Sequence, residues 1–298
     1  MRYVLAGASG FLGRALQSQL ERDGHEVRRL VRREPRSPEE FRWDPARDEL
    51  DAGVLTGAGA VVNLAGASIG RVPWTASYRT TIRESRTSTT RLLARAVASQ
   101  AEPPVFVVQV GSSYYGDDRG TEDLDEDSTP TAGFLAGVVR RWEQAAMPAE
   151  EAGARVIYLR SGAVLDGSGG ALPLLSVPFR LGLGGRLGSG RQYMPMVSLP
   201  DWLAAVRFVV DDDGCSGAYN LTLPKPATNA ELTRALGQAM GRPTVVAVPR
   251  FAMRAILGGF ATELLGSRRL HPRRLLAAGF TFTAPDVNSL VAVALHGG

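Results

Sequence analysis

Arg2-Tyr3-Val4-Leu5-Ala6-Gly7-Ala8-Ser9-Gly10-Phe11-Leu12-Gly13 is the stretch on which the fold turns. Arg2 to Ala6 have strand character and run into three glycines spaced three apart. Leu12, Leu16 and Leu20 then recur at every fourth position, one face of a helix, until Asp23-Gly24 stops it. In that setting Gly7 permits a tight turn, Gly10 lets the backbone approach a pyrophosphate where a side chain would collide, and Gly13 allows close helix–strand packing. The helix start presents free N–H groups, which favour phosphates. Ser9, Phe11 and Leu12 belong to the same candidate dinucleotide site. The competing reading is a glycine-rich connection without ligand.

Outward from this turn, short apolar runs alternate with helix-like segments. Glu26 to Val31 reads as a second strand, and Ala60 to Ala65 as a buried one, apolar except for Asn63. A polar, proline-bearing stretch from Arg33 to Asp51 is expected to be loop with one edge strand. Trp74 to Gln100 contains a long amphipathic helix, and Val105 to Val110 is another strand. Gly133 to Gly153 reads as a helix that Pro148 should kink or end, with a strand at Arg155 to Leu159. Strands alternating with helices imply an α/β fold, a parallel sheet covered on both faces. After about Gly162 glycine and proline become dense, which divides the chain into residues 1–162 and a smaller, interleaved lobe, 163–298.

Composition narrows the function. The chain has 298 residues, 44% hydrophobic and 21% charged, enough for a sizeable core. Cys215 is the only cysteine, so no intramolecular disulfide forms. His25, His271 and His296 are far apart in sequence, and no metal is expected. Net charge is +4 with the positive residues scattered, so no nucleic-acid partner is expected. No apolar run reaches the length of a membrane span, and Met1 to Ala6 lack the order of regions of a signal peptide. The expectation is a cytoplasmic protein with a small-molecule substrate and no membrane partner, a homodimer being left open. Lys225 is the only lysine among 34 basic residues, which leaves 33 arginines.

The choice of dinucleotide is read at the end of the second strand, where an acid bonds the 2′-hydroxyl of NAD and an arginine accommodates the 2′-phosphate of NADP. Arg32 and Arg33 stand there, with no acid before Glu34. NADP(H) is expected, Arg32 being the better placed; a solvated arginine pair is the alternative.

The chain resembles the extended short-chain dehydrogenase/reductases. Within them it is similar to an atypical, NAD(P)-dependent epimerase-like group with a characteristic C-terminal extension, SulA-like. The resemblance rests on Gly7 to Gly13, Asn63-Leu64-Ala65-Gly66, Ile82 to Thr90, Tyr114-Tyr115-Gly116-Asp117, Pro178 to Gly185, Leu187 to Gln192 and Pro272 to Phe280. It implies a Rossmann-like doubly wound parallel sheet holding NADP(H), with a smaller C-terminal substrate lobe closing a cleft. Leu64, Ala65 and Gly66 would line the dinucleotide, Arg86 would reach its phosphates, and Gly111 would stand beside it. An arginine paired with a neighbouring glutamate is the plain alternative for Arg86. Trp142 and Glu143 imply packing and a structural ion pair.

The resemblance fails at the catalytic groups. Such reductases use a tyrosine and, four residues on, a lysine whose charge favours the phenolate. Lys225 follows Leu221 at that spacing, and Phe134 to Arg140 contains neither tyrosine nor lysine. The usual Ser or Thr, four before the Tyr-Gly pair, is Gly111. Two readings follow. Tyr114, Tyr115, Ser112 and Ser113, just past the fifth strand of the alternating pattern, are substitute catalytic groups for redox or epimerase chemistry on a carbonyl or hydroxyl. Otherwise the chain is a sensor or scaffold that binds NADPH without turnover, Tyr115 merely packing on the sheet. In the second lobe Arg180, Arg186, Arg191 and Tyr193 are candidate substrate contacts, with an ordinary glycine-rich surface loop as the alternative. Asp201 is expected to cap the helix that follows it.

Overall fold

The computed structural model describes residues 1–296; the side chain of His296 lies outside the description. Val4 and Ala6 face one side of their strand and Tyr3 and Leu5 the other, all four fully buried, because alternate residues of a strand point to opposite faces. A strand apolar on both faces belongs at the centre of a parallel sheet, and β1 (Arg2–Ala6) lies there. It pairs in parallel with β2 (Glu26–Val31) on one side and, out of sequence, with β5 (Ala60–Asn63) on the other. From β2 the sheet runs out through β3 (Glu40–Asp44) to β4 (Glu49–Leu50). From β5 it runs through β6 (Val105–Gly111) and Val156–Ser161 to Gly217–Leu221. The strand order therefore reverses beside β1, which opens a crevice at the carboxyl ends of β1 and β5.

Helices cover both faces. Against Tyr3 and Leu5 pack α1 (Phe11–Arg22), through Leu16 and Leu20, and Leu199–Asp211, through Trp202 and Val206. Against Val4 and Ala6 pack α2 (Ala76–Ala98) and α3 (Phe134–Gln144), through Leu93 and Trp142. The chain beyond residue 162 thus returns to the sheet twice, with Leu199–Asp211 and Gly217–Leu221. A third core, with Leu165, Met196, Leu232 and Leu290, holds the rest of the second lobe.

Two local expectations change. The Arg33 to Asp51 stretch carries two strands, β3 and β4, joined by a turn in which Asp48 has φ +62°. Pro148 does not end the helix before it. That helix stops at Ala145, and Pro148 lies in the first turn of Met147–Glu151, where a missing N–H costs no hydrogen bond.

Candidate functional site

The three glycines of the opening turn have different reasons to be glycine. Gly7 has φ +85°, and a Cβ there would lie 2.7 Å from the Leu64 carbonyl carbon. At Gly13 a Cβ would lie 2.3 Å from the Gly7 oxygen. At Gly10 it would meet only the Gly7 oxygen, at 3.3 Å. The fold therefore requires Gly7 and Gly13, whereas a Cβ at Gly10 has a single tight neighbour that a shift of a few tenths of an ångström would relieve. Gly10 also precedes α1 without any side-chain cap, so the first N–H groups of the helix stay available to an anion. Ser9 accepts a hydrogen bond on its carbonyl from Arg14, and Phe11 packs on Gly169 and Gly170 of the second lobe.

Across the crevice, Leu64 continues the β1 pairing by donating its N–H to Ala6 at 2.9 Å. Asn63, fully buried, donates to Thr90 Oγ1 at 2.8 Å and accepts from the Ala65 N–H at 3.0 Å. The Trp142 indole donates to the same threonine oxygen at 2.7 Å. Ser85 accepts from the Ala67 N–H at 2.9 Å. The turn of Leu64, Ala65 and Gly66 is thus shaped by α2. The roles of Asn63, Ser85 and Thr90 escape a linear reading, although one polar residue inside an apolar strand was the visible signal.

Arg86 lies against Gly66, where a Cβ would come within 3.2 Å of its guanidinium carbon. It stacks over Trp142 at 5.1 Å and donates to the Ile82 carbonyl. It is not paired with a glutamate; the neighbouring Glu84 pairs with Arg83. Burial of the guanidinium lowers its pKa to about 10. The structure places a desolvated cation without a carboxylate partner beside the dinucleotide turn. At the end of β2, Arg33 is held by Glu40 through two bonds of 2.7 Å. Arg32 is exposed and has no side-chain partner among the described residues.

Gly111 ends β6, and Ser112–Tyr115 forms a single 3₁₀ turn beyond it, at the carboxyl edge of the sheet. Tyr115 is fully buried. Its hydroxyl donates to Asn220 Oδ1 at 2.7 Å and accepts from Arg160 at 3.2 Å. Burial outweighs the effect of Arg160 and pushes its pKa up to about 12. Ser112 and Ser113 are buried too, and Ser113 donates to Glu263 at 2.7 Å, which itself pairs with Arg268 at 3.0 Å. Burial, and then the nearby Glu263, raise the Asp117 carboxyl. Tyr114 is half-buried, and its phenolic oxygen has no hydrogen-bond partner among the described residues. Its ring packs face-on against the guanidinium of Arg160. Arg160 is fixed in turn by Glu143, at 2.8 and 3.0 Å, and Trp142 is buried, as the resemblance implied.

Lys225 is exposed in the second lobe, lining a cavity of 290 Å³ with Glu231, Arg234 and Asp286, away from the turn after β6. Arg180, Arg186 and Arg191 are all exposed, and Tyr193 stacks with Arg269 at 5.3 Å. Asp201 does not cap its helix. Ser198 does, and Asp201, buried three residues on, accepts from Ser198, Thr283 and Ala284, tying the tail to the helix. Among the described residues no group of three His, Cys, Asp or Glu side chains is arranged to hold a metal ion. Among the described residues no helix is long and apolar enough to cross a membrane.

Comparison with known proteins agrees with this architecture. Residues 3–164 match the NAD dependent epimerase/dehydratase family, and residues 248–292 match a domain of unknown function, DUF1731. Over 280 residues the chain is 43% identical to epimerase family protein ML0860 of Mycobacterium leprae, spanning 94% of this chain and 91% of that protein. It is 36% identical to the Homo sapiens epimerase family protein SDR39U1 over 295 residues, 97% of this chain and 98% of that one. The crystal structure of human SDR39U1 (isoform 2) with NADPH superposes with a TM-score of 0.90 at 33% identity, over 99% of this chain and 100% of the other.

Proposed function

The chain belongs to the NAD dependent epimerase/dehydratase family, and from that premise we propose that it is an NADP(H)-dependent oxidoreductase or epimerase acting on a small molecule with a carbonyl or hydroxyl group. One observation carries the cofactor reading: the uncapped start of α1, preceded by the side-chain-free Gly10, lies where the strand order reverses. Pyrophosphate would rest on the first N–H groups of α1, Leu64 to Gly66 would line the dinucleotide, and Arg86 would neutralise a phosphate. Arg32 would meet the 2′-phosphate, since Arg33 is committed to Glu40. The NADPH held by human SDR39U1 supports the same assignment. Bound NADP(H) supplies or accepts a hydride at the nicotinamide.

Proton handling falls to Tyr114. Of the two tyrosines on the turn it alone has surface to offer and a hydroxyl without a partner. Arg160 holds its ring by a cation–π contact, and Glu143 holds Arg160. Ser113, bonded to Glu263, fixes the turn. The burial of Tyr115 and the placement of Lys225 favour a second reading, a protein that binds NADPH and signals its presence without turnover.

One set of measurements separates the two. Affinities for NADPH and NADH are compared in the unmodified protein and Arg32→Ala. A panel of ketones, quinones and sugar nucleotides is then offered with NADPH, and loss of the reduced cofactor is followed by absorbance. The expected result is a preference for NADPH that Arg32→Ala abolishes, and turnover that Tyr114→Phe stops. Turnover surviving Tyr114→Phe removes the catalytic assignment, and tight binding with no turnover selects the second reading.

A further inference from the structure

Two segments of the second lobe, residues 167–200 and 232–262, contain seven arginines and no aspartate or glutamate. All 30 acidic residues lie elsewhere, against 27 of the 34 basic ones, so the remainder of the chain is net acidic. Among the described residues none of the seven forms a salt bridge, although Arg234 lies near Glu231 and Asp286, whereas most arginines elsewhere do. The segments join edge to edge: Gly185–Leu187 pairs in parallel with Val246–Val248, and Gly188 abuts the Arg250 side chain.

The same segments carry exposed apolar side chains. Seven of the ten exposed large hydrophobic residues fall in these segments, Leu174 at 74%, Val245 at 86%, Phe251 at 75% and Ile256 at 72% among them. On the helix Arg250–Leu257, Met253 and Leu257 turn inward onto Leu187 and Val248, while Arg250, Phe251, Arg254 and Ile256 stay exposed. Exposed apolar side chains are unfavourable in water, and where cations stand among them the segment matches a layer with anionic heads over apolar chains.

We propose that this face docks on an anionic lipid surface, with Phe251 and Ile256 entering the interface and Arg250 and Arg254 meeting lipid phosphates. A second copy of the chain fits worse, because it would set the same acid-free cations against each other. A nucleic acid would satisfy the arginines but offers little to Leu174, Val245 and Ile256. No spanning helix is needed, since such a surface lies on the bilayer; docking of this kind departs from the sequence-based expectation of no membrane partner. The inference uses none of the residues of the glycine turn and stands apart from the cofactor reading.

The test is co-sedimentation of the full chain with vesicles of phosphatidylcholine alone or of equal parts phosphatidylcholine and phosphatidylglycerol. The expected result is partition roughly tenfold stronger onto the anionic vesicles, weakening as salt is raised. Phe251→Ser with Ile256→Ser, and separately Arg250→Glu with Arg254→Glu, should each lower it about tenfold, with the thermal unfolding curve unchanged. If either pair alters that curve, Val245→Ser and Leu174→Ser, at side chains that project into solvent, replace it. Equal binding to both vesicles, or anionic binding indifferent to all these changes, overturns the proposal. Release by inorganic pyrophosphate at constant ionic strength also overturns it, by revealing a small-anion site. So does a dimeric mass in light scattering without lipid binding, which assigns the face to a second copy.

Discussion

The guanidinium carbon of Arg160 lies 3.4 Å from the centre of the Tyr114 ring. Arg160 is itself buried, bridged to Glu143 through two nitrogens, so a charge deep in the protein supports the one tyrosine of the turn with a free hydroxyl. Burial is the largest single effect and opposes the charge on Arg160, yet the bonds and charge of Glu143 together with Tyr115 more than offset it and the net shift is upward. Glu143→Gln leaves a buried cation without its counter-charge. It is expected to cost about 3–5 kcal/mol in urea unfolding. A loss below about 1 kcal/mol would mean that Arg160 is held by other means.

The two adjacent tyrosines should separate stability from chemistry. Tyr115→Phe strips the hydroxyl from Asn220 and Arg160 in the interior and is expected to lower stability by about 1–3 kcal/mol. Tyr114→Phe should leave the unfolding midpoint nearly unchanged while abolishing turnover of whichever substrate the panel yields. Unfolding curves and rates on the same two proteins settle it; a stable Tyr115→Phe would contradict the buried network.

The glycines of the opening turn should respond differently to a methyl group. Gly13→Ala forces a Cβ toward the Gly7 oxygen and is expected to destabilise by about 1–3 kcal/mol. Gly10→Ala meets one tight contact, the Gly7 oxygen at 3.3 Å, in an ordinary backbone conformation, so the fold should survive within about 1 kcal/mol. NADPH affinity of Gly10→Ala should nonetheless fall by tenfold or more, as measured by calorimetry. Undiminished affinity would show that the pyrophosphate does not lie against Gly10.

Acid should loosen the far edge of the sheet. The hydrogen bonds from Arg33, and then the Arg36 N–H, lower the Glu40 carboxyl from 4.5 to about 2. A carboxyl lowered on folding adds stability above its unfolded pKa and loses that contribution as pH falls through the folded value. The effect of Glu40 is therefore present above about 4.5 and fades toward about 2. Glu40→Gln should be less stable than the unmodified protein at neutral pH, and the gap should close in that acid range. A gap independent of pH would mean that the loss is packing rather than charge.

Much of the fold was legible along the chain. The glycine turn with its strand and helix, the alternation of apolar runs, and the missing Tyr–Lys pair are all local patterns. A strand or helix declares itself through spacing, and an absent residue can be counted. The edge strands β3 and β4 were less legible because their surroundings are polar and proline-bearing, so only pairing with β2 reveals one of them and the turn at Asp48 the other.

The site divides along the same line. Sequence by itself determined the glycine turn, the arginines after β2 and the short set of candidate catalytic groups, since each is set by residues a few positions apart. The sequence already favoured Arg32 over Arg33, and only the tertiary structure shows that Glu40 reaches back to hold Arg33 while Arg32 stays without a partner among the described residues. It alone buried Tyr115 and left Tyr114 open, through Asn220, which is 105 residues away. It alone brought the Arg186 segment beside the Arg250 helix, through a pairing of distant strands. Backbone conformation follows from near neighbours; which side chain is free depends on partners that only folding brings within reach.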